Sequence, residues 1–208
     1  MTARPLPKSP AGEDDWDAAI ADWLSGIFLA APSAETVESY RRGLGSELLE
    51  SLWNEPAYRS GVAAMRQALD PAETASVLSR RLSMTFTHLF DGVGGPRTVP
   101  LYESAHVGVS RRVSQAPAGE MDMLLRRFEL LPDPSHSGPP DHLSIELALL
   151  ACIIRRGTDG GAEKEFLDRH LLVWVPTLAA LCADADRTGF YAGPRVWLAL
   201  SSGLARPL

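Results

Sequence analysis

The chain has 208 residues, 45% of them hydrophobic and 22% charged, a composition that suits one ordinary domain with a sizeable core. A formal charge of -6 argues against nucleic acid as the main ligand, because phosphate binding calls for a basic face, and it permits a basic partner. No stretch approaches the roughly 18 apolar residues of a membrane span and no signal-peptide-like run opens the chain, so the expected location is the cytoplasm. The two cysteines, Cys152 and Cys182, sit in apolar helical contexts and are expected to be free thiols.

Residues 1–12, with Pro5, Pro7, Pro10 and Gly12, read as a disordered leader, and 13–208 as a single all-α domain. Trp16, Ile20, Trp23, Leu24, Ile27 and Phe28 form a helical apolar stripe, its start complemented by Glu13, Asp14 and Asp15 and its end set by Pro32. Ser33 caps a second helix carrying Val37 and Tyr40, which Gly43 and Gly45 break. Leu48, Leu49, Leu52 and Trp53 mark a third, and Tyr58 to Leu69 a fourth. Asp70-Pro71-Ala72-Glu73 combines a capping residue, a proline at the first helical position and a carboxylate three residues after the cap. The helix it predicts runs through Val77, Leu78, Leu82, Phe86, Leu89 and Phe90 and stops in the glycine-rich stretch 91–96. That loop follows a helix and lacks the Lys-Ser/Thr ending of a phosphate cradle, so it reads as a hinge.

Pro100-Leu101-Tyr102-Glu103-Ser104 opens another helical stretch toward Val113. Pro117 restarts the pattern with Met121, Leu124, Leu125 and Phe128, and 132–140 is a proline, serine and glycine linker. Pro139-Pro140-Asp141 then reads as a rigid entry to the central helix, with Asp141 as its cap. Leu143, Leu147, Leu150 and Ile154 follow at helical spacing, and Ile145, Leu149 and Ile153 make the other faces apolar too, the pattern of a helix in the middle of a bundle. Arg155 and Arg156 suit its negative end, and Gly157 a left-handed cap. Asp141, His142 and Glu146 therefore stand near its N-terminal mouth. Two readings stay open: a cap, a half-exposed imidazole and a dipole-complementing carboxylate, or an acidic receptor for something basic. Beyond 157–161, Phe166, Leu167, His170, Leu171 and Trp174 form a helix that Pro176 kinks into Leu178 and Leu181. Phe190 and Tyr191 lead into a last helix with Val196, Trp197 and Leu200. No run alternates as a strand would, and about nine or ten helices fit the punctuation.

Three separated motifs together resemble the TorD/DmsD/NarJ family of cytoplasmic chaperones for molybdenum oxidoreductases. They are Phe86-Thr87-His88-Leu89-Phe90 with Gly92 and Pro100-Leu101-Tyr102-Glu103-Ser104; Pro139-Pro140-Asp141-His142 with Glu146-Leu147; and Phe166-Leu167-Asp168-Arg169-His170-Leu171-Leu172-Val173-Trp174 with Phe190-Tyr191. The resemblance spans roughly residues 14 to 203 and departs at Gly138, where related sequences often carry an acid, and at Phe86, where they often carry Trp. It implies a non-enzymatic all-α chaperone that binds the twin-arginine signal peptide and the apo-form of a molybdenum oxidoreductase catalytic subunit and assists cofactor insertion before export. The residues it implies for peptide binding are Phe86, Leu89, Phe90, Pro100, Tyr102, Ser104, Pro139, Asp141, His142 and Glu146. The first aromatic and aliphatic groups would line an apolar groove, and Asp141, Glu146 and Glu103 an acidic mouth. It requires no cofactor, leaves guanine nucleotide open, and allows a monomer or a domain-swapped dimer.

Two other functions are weighed against it. A helical scaffold would hold the mature molybdoenzyme without touching a signal peptide. A metal-dependent enzyme would draw on His136, Asp141 and His142, whose spacing matches no zinc signature. The arginine pairs, such as Arg41-Arg42 and Arg126-Arg127, read as solvated helix faces.

Overall fold

Helix α8 (Leu143–Arg156) is buried on nearly every face, as its composition predicts. Leu143, Leu147, Leu149, Leu150, Ile153 and Ile154 are all buried, each contributing roughly 1.5–3 kcal/mol. Among its apolar residues only Ile145, Ala148 and Cys152, spaced three and four apart, remain half-buried. The helix ends at Gly157, whose φ of 58° is the left-handed conformation that glycine adopts without penalty. Its N-cap is His142 and not the expected Asp141: the imidazole accepts from the Ser144 N–H, while the Asp141 side chain turns to another segment.

The computed structural model describes residues 13–92, 95–107, 116–130, 138–157 and 161–191. The described chain forms two compact units, one from 13–29 and 101–175, the other from 30–100 and 176–191. The expected leader, most of the 132–140 linker, His136 and the helix around Trp197 lie outside the described residues.

In the first unit α1 (Glu13–Leu29) lies along α8 in the most extensive helix pairing among the described residues. Ala18, Ala19 and Ala21 are buried, and such small side chains let two helix backbones approach closely. Ser25 Oγ donates to the Ser144 carbonyl across the pair at 2.7 Å, and Arg155 pairs with Asp22 at the far end. Around them stand α6 (Glu103–His106), α7 (Ala116–Arg127) and α9 (Gly161–Phe166). A π-turn, Leu167–Leu171, follows α9, closed by Leu172 N–H on the Leu167 carbonyl at 2.8 Å. The stretch opened by Pro100 was expected to stay helical toward Val113, but α6 is four residues long and Val107 is extended. Residues 108–115 lie outside the described part.

The second unit holds α2 (Ala34–Arg42), α3 (Leu44–Asn54), α4 (Arg59–Ala68), α5 (Ala75–Phe90) and, from residue 176 on, α10 (Val175–Ala185). Ser33 caps α2 as expected, its Oγ accepting from Thr36 N–H at 3.1 Å. Gly45 does not break a helix; it lies inside α3, and a Cβ there would stand 2.6 Å from Tyr40 Cδ1 and 3.0 Å from Tyr40 Cα. The helix predicted from Asp70 starts four residues late, with Thr74 as its cap. The cause is Arg41, which donates to the carbonyls of Leu69, Asp70 and Glu73 and so holds this stretch as a turn, while Asp70 Oδ1 accepts from Ala72 N–H at 2.8 Å. Beyond α10, the buried Asp186 carboxylate accepts from Thr188 and from Tyr191 N–H and fixes the Phe190-Tyr191 turn.

Among the described residues there are ten α-helices and no strand, which makes the protein all-α as predicted. No single described helix is long and apolar enough to cross a membrane, and both cysteines are free. Two glycine substitutions test the packing. Gly45→Ala should destabilise by about 1–3 kcal/mol because backbone atoms of Tyr40 cannot give way. Gly119→Ala, at an exposed position inside α7 with no atom in the way, should stabilise by about 1 kcal/mol. Urea unfolding of the two variants should show shifts of opposite sign.

Candidate functional site

In the first unit, residues 101–104 and 141–143 form an antiparallel clasp. Leu143 N–H donates to the Leu101 carbonyl at 2.8 Å and Glu103 N–H to the Asp141 carbonyl at 3.0 Å, which places Tyr102 opposite His142. The two rings meet edge to face with centroids 5.0 Å apart. Asp141 Oδ2 accepts from Ser104 N–H at 2.9 Å and so caps α6 from a different part of the chain. The aspartate expected to start α8 therefore starts α6, and His142 takes over the α8 N-terminus.

Glu103, Asp141 and Glu146 are 4%, 0% and 0% exposed. The acidic mouth predicted from sequence is thus an interior cluster, since each carboxylate is drawn to a buried donor. Glu103 Oε2 pairs with His170 Nδ1 at 3.0 Å, and Trp174 Nε1 donates to Glu146 Oε2 at 3.1 Å. His106 stacks on Trp174 with ring centroids 5.1 Å apart. Burial above all, then the neighbouring Glu103 charge, holds the Glu146 carboxyl well above its ordinary value of 4.5. Hydrogen bonding to Glu103 and the Asp141 charge add to the rise, and the Trp174 N–H opposes it. Glu146 therefore keeps its proton through the range where surface carboxylates lose theirs. Asp141 Oδ1, Glu146 Oε1 and Ser104 Oγ have no hydrogen-bond partner among the described residues.

The remaining candidates belong to the second unit, except Pro139, which is half-buried ahead of the clasp. Phe86 and Leu89 are core residues of α5, whereas Phe90 at its end is half-buried. Tyr191 packs edge-on against Phe86 and Phe90 at 5.7 and 5.5 Å, and its hydroxyl donates to the Leu82 carbonyl at 3.3 Å. Val99 N–H donates to the Leu89 carbonyl at 2.6 Å, which holds the half-buried Pro100 at the end of α5. Asp91, the C-cap of α5, is exposed and makes no ion pair among the described residues.

The sequence-predicted residues therefore fall into two sets. Phe86, Leu89, Phe90 and Pro100 gather at the end of α5, and Tyr102, Ser104, Asp141, His142 and Glu146 gather around the clasp. Sequence reasoning missed the partners His170, Trp174 and Tyr191. The signal for Trp174 was Glu146, a glutamate on a helix apolar all round, which obliges the fold to supply a buried donor. No group of three metal-ligating side chains occurs among the described residues, and His136 lies outside them.

A pH test follows from Glu146. Its carboxyl is raised in the folded chain, so its stability contribution is complete below about pH 4.5 and is lost as the pH climbs toward the folded value. Glu146→Gln keeps an acceptor for Trp174 and removes the titration. Urea midpoints measured across pH should favour the variant increasingly as pH rises; a difference that does not change with pH contradicts the assignment.

Comparison with known proteins bears on the same residues. The family model described as nitrate reductase delta subunit matches residues 54–180, which include every candidate above. The chain is 27% identical over 180 residues to the chaperone protein TorD of Vibrio atlanticus, covering 82% of this chain and 83% of that protein. It is 28% identical over 180 residues to that of Aliivibrio salmonicida, with the same coverage, and 27% identical over 179 residues to that of Vibrio parahaemolyticus. These relatives are named as chaperones and not for any reaction. The chain belongs to the nitrate reductase delta subunit family, among the TorD-type redox enzyme maturation chaperones.

Proposed function

We propose that this protein is a chaperone specific to a molybdenum oxidoreductase, binding the twin-arginine signal peptide of the apo-precursor in the cytoplasm and holding it while the cofactor is inserted. The observation that carries the reading is the end of α5. There a half-buried Phe90, backed by Phe86 and Tyr191, adjoins the exposed carboxylate of Asp91, with Pro100 held alongside by the Val99–Leu89 hydrogen bond. A twin-arginine peptide joins a basic segment to an apolar one. An apolar ring next to an unneutralised carboxylate answers both parts. In the first unit, Tyr102 and Pro139 are half-buried and reachable without opening the core.

Asp141, Ser104 and Glu146 act in this reading from within. They fix the backbone that carries Tyr102 and His142, and no arginine has to reach them. A micromolar complex needs about 8 kcal/mol net. A few apolar anchors at roughly 1.5–3 kcal/mol each and one charge-assisted contact supply that, after about 2–5 kcal/mol is lost in ordering the peptide. No nucleotide is required for this step.

Calorimetric titration with the client's N-terminal peptide tests the reading. Binding of about micromolar strength is expected, and Asp91→Asn should weaken it about tenfold with unchanged thermal stability. Asp141→Asn should leave binding intact, because the amide oxygen still accepts from Ser104 N–H. Loss of binding in Asp141→Asn with retention in Asp91→Asn would make the buried carboxylate the receptor. A client that binds only through its mature part would favour the scaffold reading.

A further inference from the structure

A cleft of about 290 Å³ opens in the first unit among α7, α8, α9 and the π-turn. Leu124, Phe128, Ile153, Ala162 and Phe166 give it apolar walls. Its charged groups cancel. Glu120 and Glu165 stand against Arg127 and Arg169, with Arg169 held by Glu165 at 3.2 Å and by Glu120 at 3.6 Å. Arg156, beside the Phe128 ring, is spent on the Phe128 carbonyl at 2.7 Å and on Glu129. A charged ligand would give up its hydration here with no uncommitted counter-charge to receive it, and a neutral one would not.

One acceptor interrupts these walls. The cleft reaches His170, whose side chain is only 5% exposed. Its Nδ1 lies 3.0 Å from the buried Glu103 carboxylate, which accepts, so in the neutral imidazole Nδ1 carries the proton and Nε2 keeps its lone pair. Nε2 makes no hydrogen bond among the described residues, and the core does not close it off. The ring lies tilted against Phe166 with centroids 5.2 Å apart. The π-turn, a feature frequent at functional sites, sets His170 at this depth between Glu103 and the cleft. A lone pair in an apolar slot is satisfied by a donor, and the balanced charges around it favour an uncharged one.

We propose that this cleft binds a small, neutral, aromatic molecule that carries one N–H or O–H donor, the chemistry of a phenol or an indole. The ring lies among Leu124, Phe128 and Phe166, and its donor hydrogen-bonds to His170 Nε2. The volume sits at the small end of ligand pockets, which suits a molecule of one or two rings. Selectivity comes from two sources. The apolar walls and cancelled charges disfavour carboxylates and amines, and the lone pair on Nε2 disfavours rings that have no donor to offer it. The site shares no residue with the peptide contacts proposed at the end of α5 and does not depend on them.

The test uses the full-length protein labelled with ¹⁵N-histidine, at a mildly alkaline pH that keeps imidazole neutral. Phenol or indole should shift the His170 Nε2 resonance saturably, and the tighter of the two gives the ring size. Anisole and N-methylindole, which have the same rings without the donor, should bind about tenfold more weakly. Benzoate and benzylamine should leave the resonance unmoved. Ala162→Phe, which fills the cleft from a half-buried position on α9, should abolish the shift while the helical circular dichroism is retained. The comparison of each ring with its methylated analogue needs no variant and stands even if Ala162→Phe does not fold. The proposal is overturned if neither phenol nor indole moves Nε2 saturably, if the methylated rings bind as tightly, if benzoate or benzylamine binds as well, or if folded Ala162→Phe binds with undiminished affinity. A His170 that responds to the client polypeptide but to neither small ring overturns it too.

Discussion

Three carboxylates brought into one apolar interior are the constraint on which the first unit depends. An isolated buried charge is prohibitively costly, so each of Glu103, Asp141 and Glu146 has to be met by a donor or keep its proton. The chain meets them from four directions: His170 on the π-turn, Trp174 beyond it, the Ser104 amide at α6, and a retained proton on Glu146. Because these partners come from distant parts of the sequence, satisfying them fixes the short helix α6, the N-terminus of α8 and the π-turn together. Removing one partner would leave an uncompensated polar group in the core, which is why the arrangement specifies one geometry.

This explains why one family motif is spread across the chain. His170 and Trp174, four residues apart, complete the electrostatics of Glu103 and Glu146, while the Asp-His pair at 141–142 supplies a cap to each of two helices. The same interior that positions Tyr102 and His142 also holds the His170 ring on Glu103. In the second unit Arg41 and Asp186 play the comparable part with backbone groups, fixing the 69–74 turn and the approach to Tyr191.

Much of this was legible in the residues. The apolar periodicity of α8, the Ser33 cap, the left-handed Gly157 and the end of α5 at Phe90 were all read from local pattern, because local backbone chemistry decides them. The all-α fold followed from the same periodicity, and the family resemblance carried the chaperone assignment. What local pattern could not decide were contests with distant partners. Asp70-Pro71-Ala72-Glu73 has every sign of a helix start, yet Arg41 claims its carbonyls. Asp141 is a good cap, but for α6. Exposure misled in the same way: Phe86 and Leu89 sit on the predicted helix and at the predicted spacing, but a spacing does not say which ring of a cluster meets solvent.

Residues 101–104 are held against 141–143 by backbone pairing and the Asp141 carboxylate, which sets Tyr102 opposite His142. Amide hydrogen exchange of Glu103, Ser104 and Leu143 tests it most directly. Protection close to that of the α8 core is expected, with Ser104 protection falling selectively in Asp141→Ala. Exchange of these amides at the rate of an open loop, or protection unchanged by the loss of the carboxylate, would contradict it.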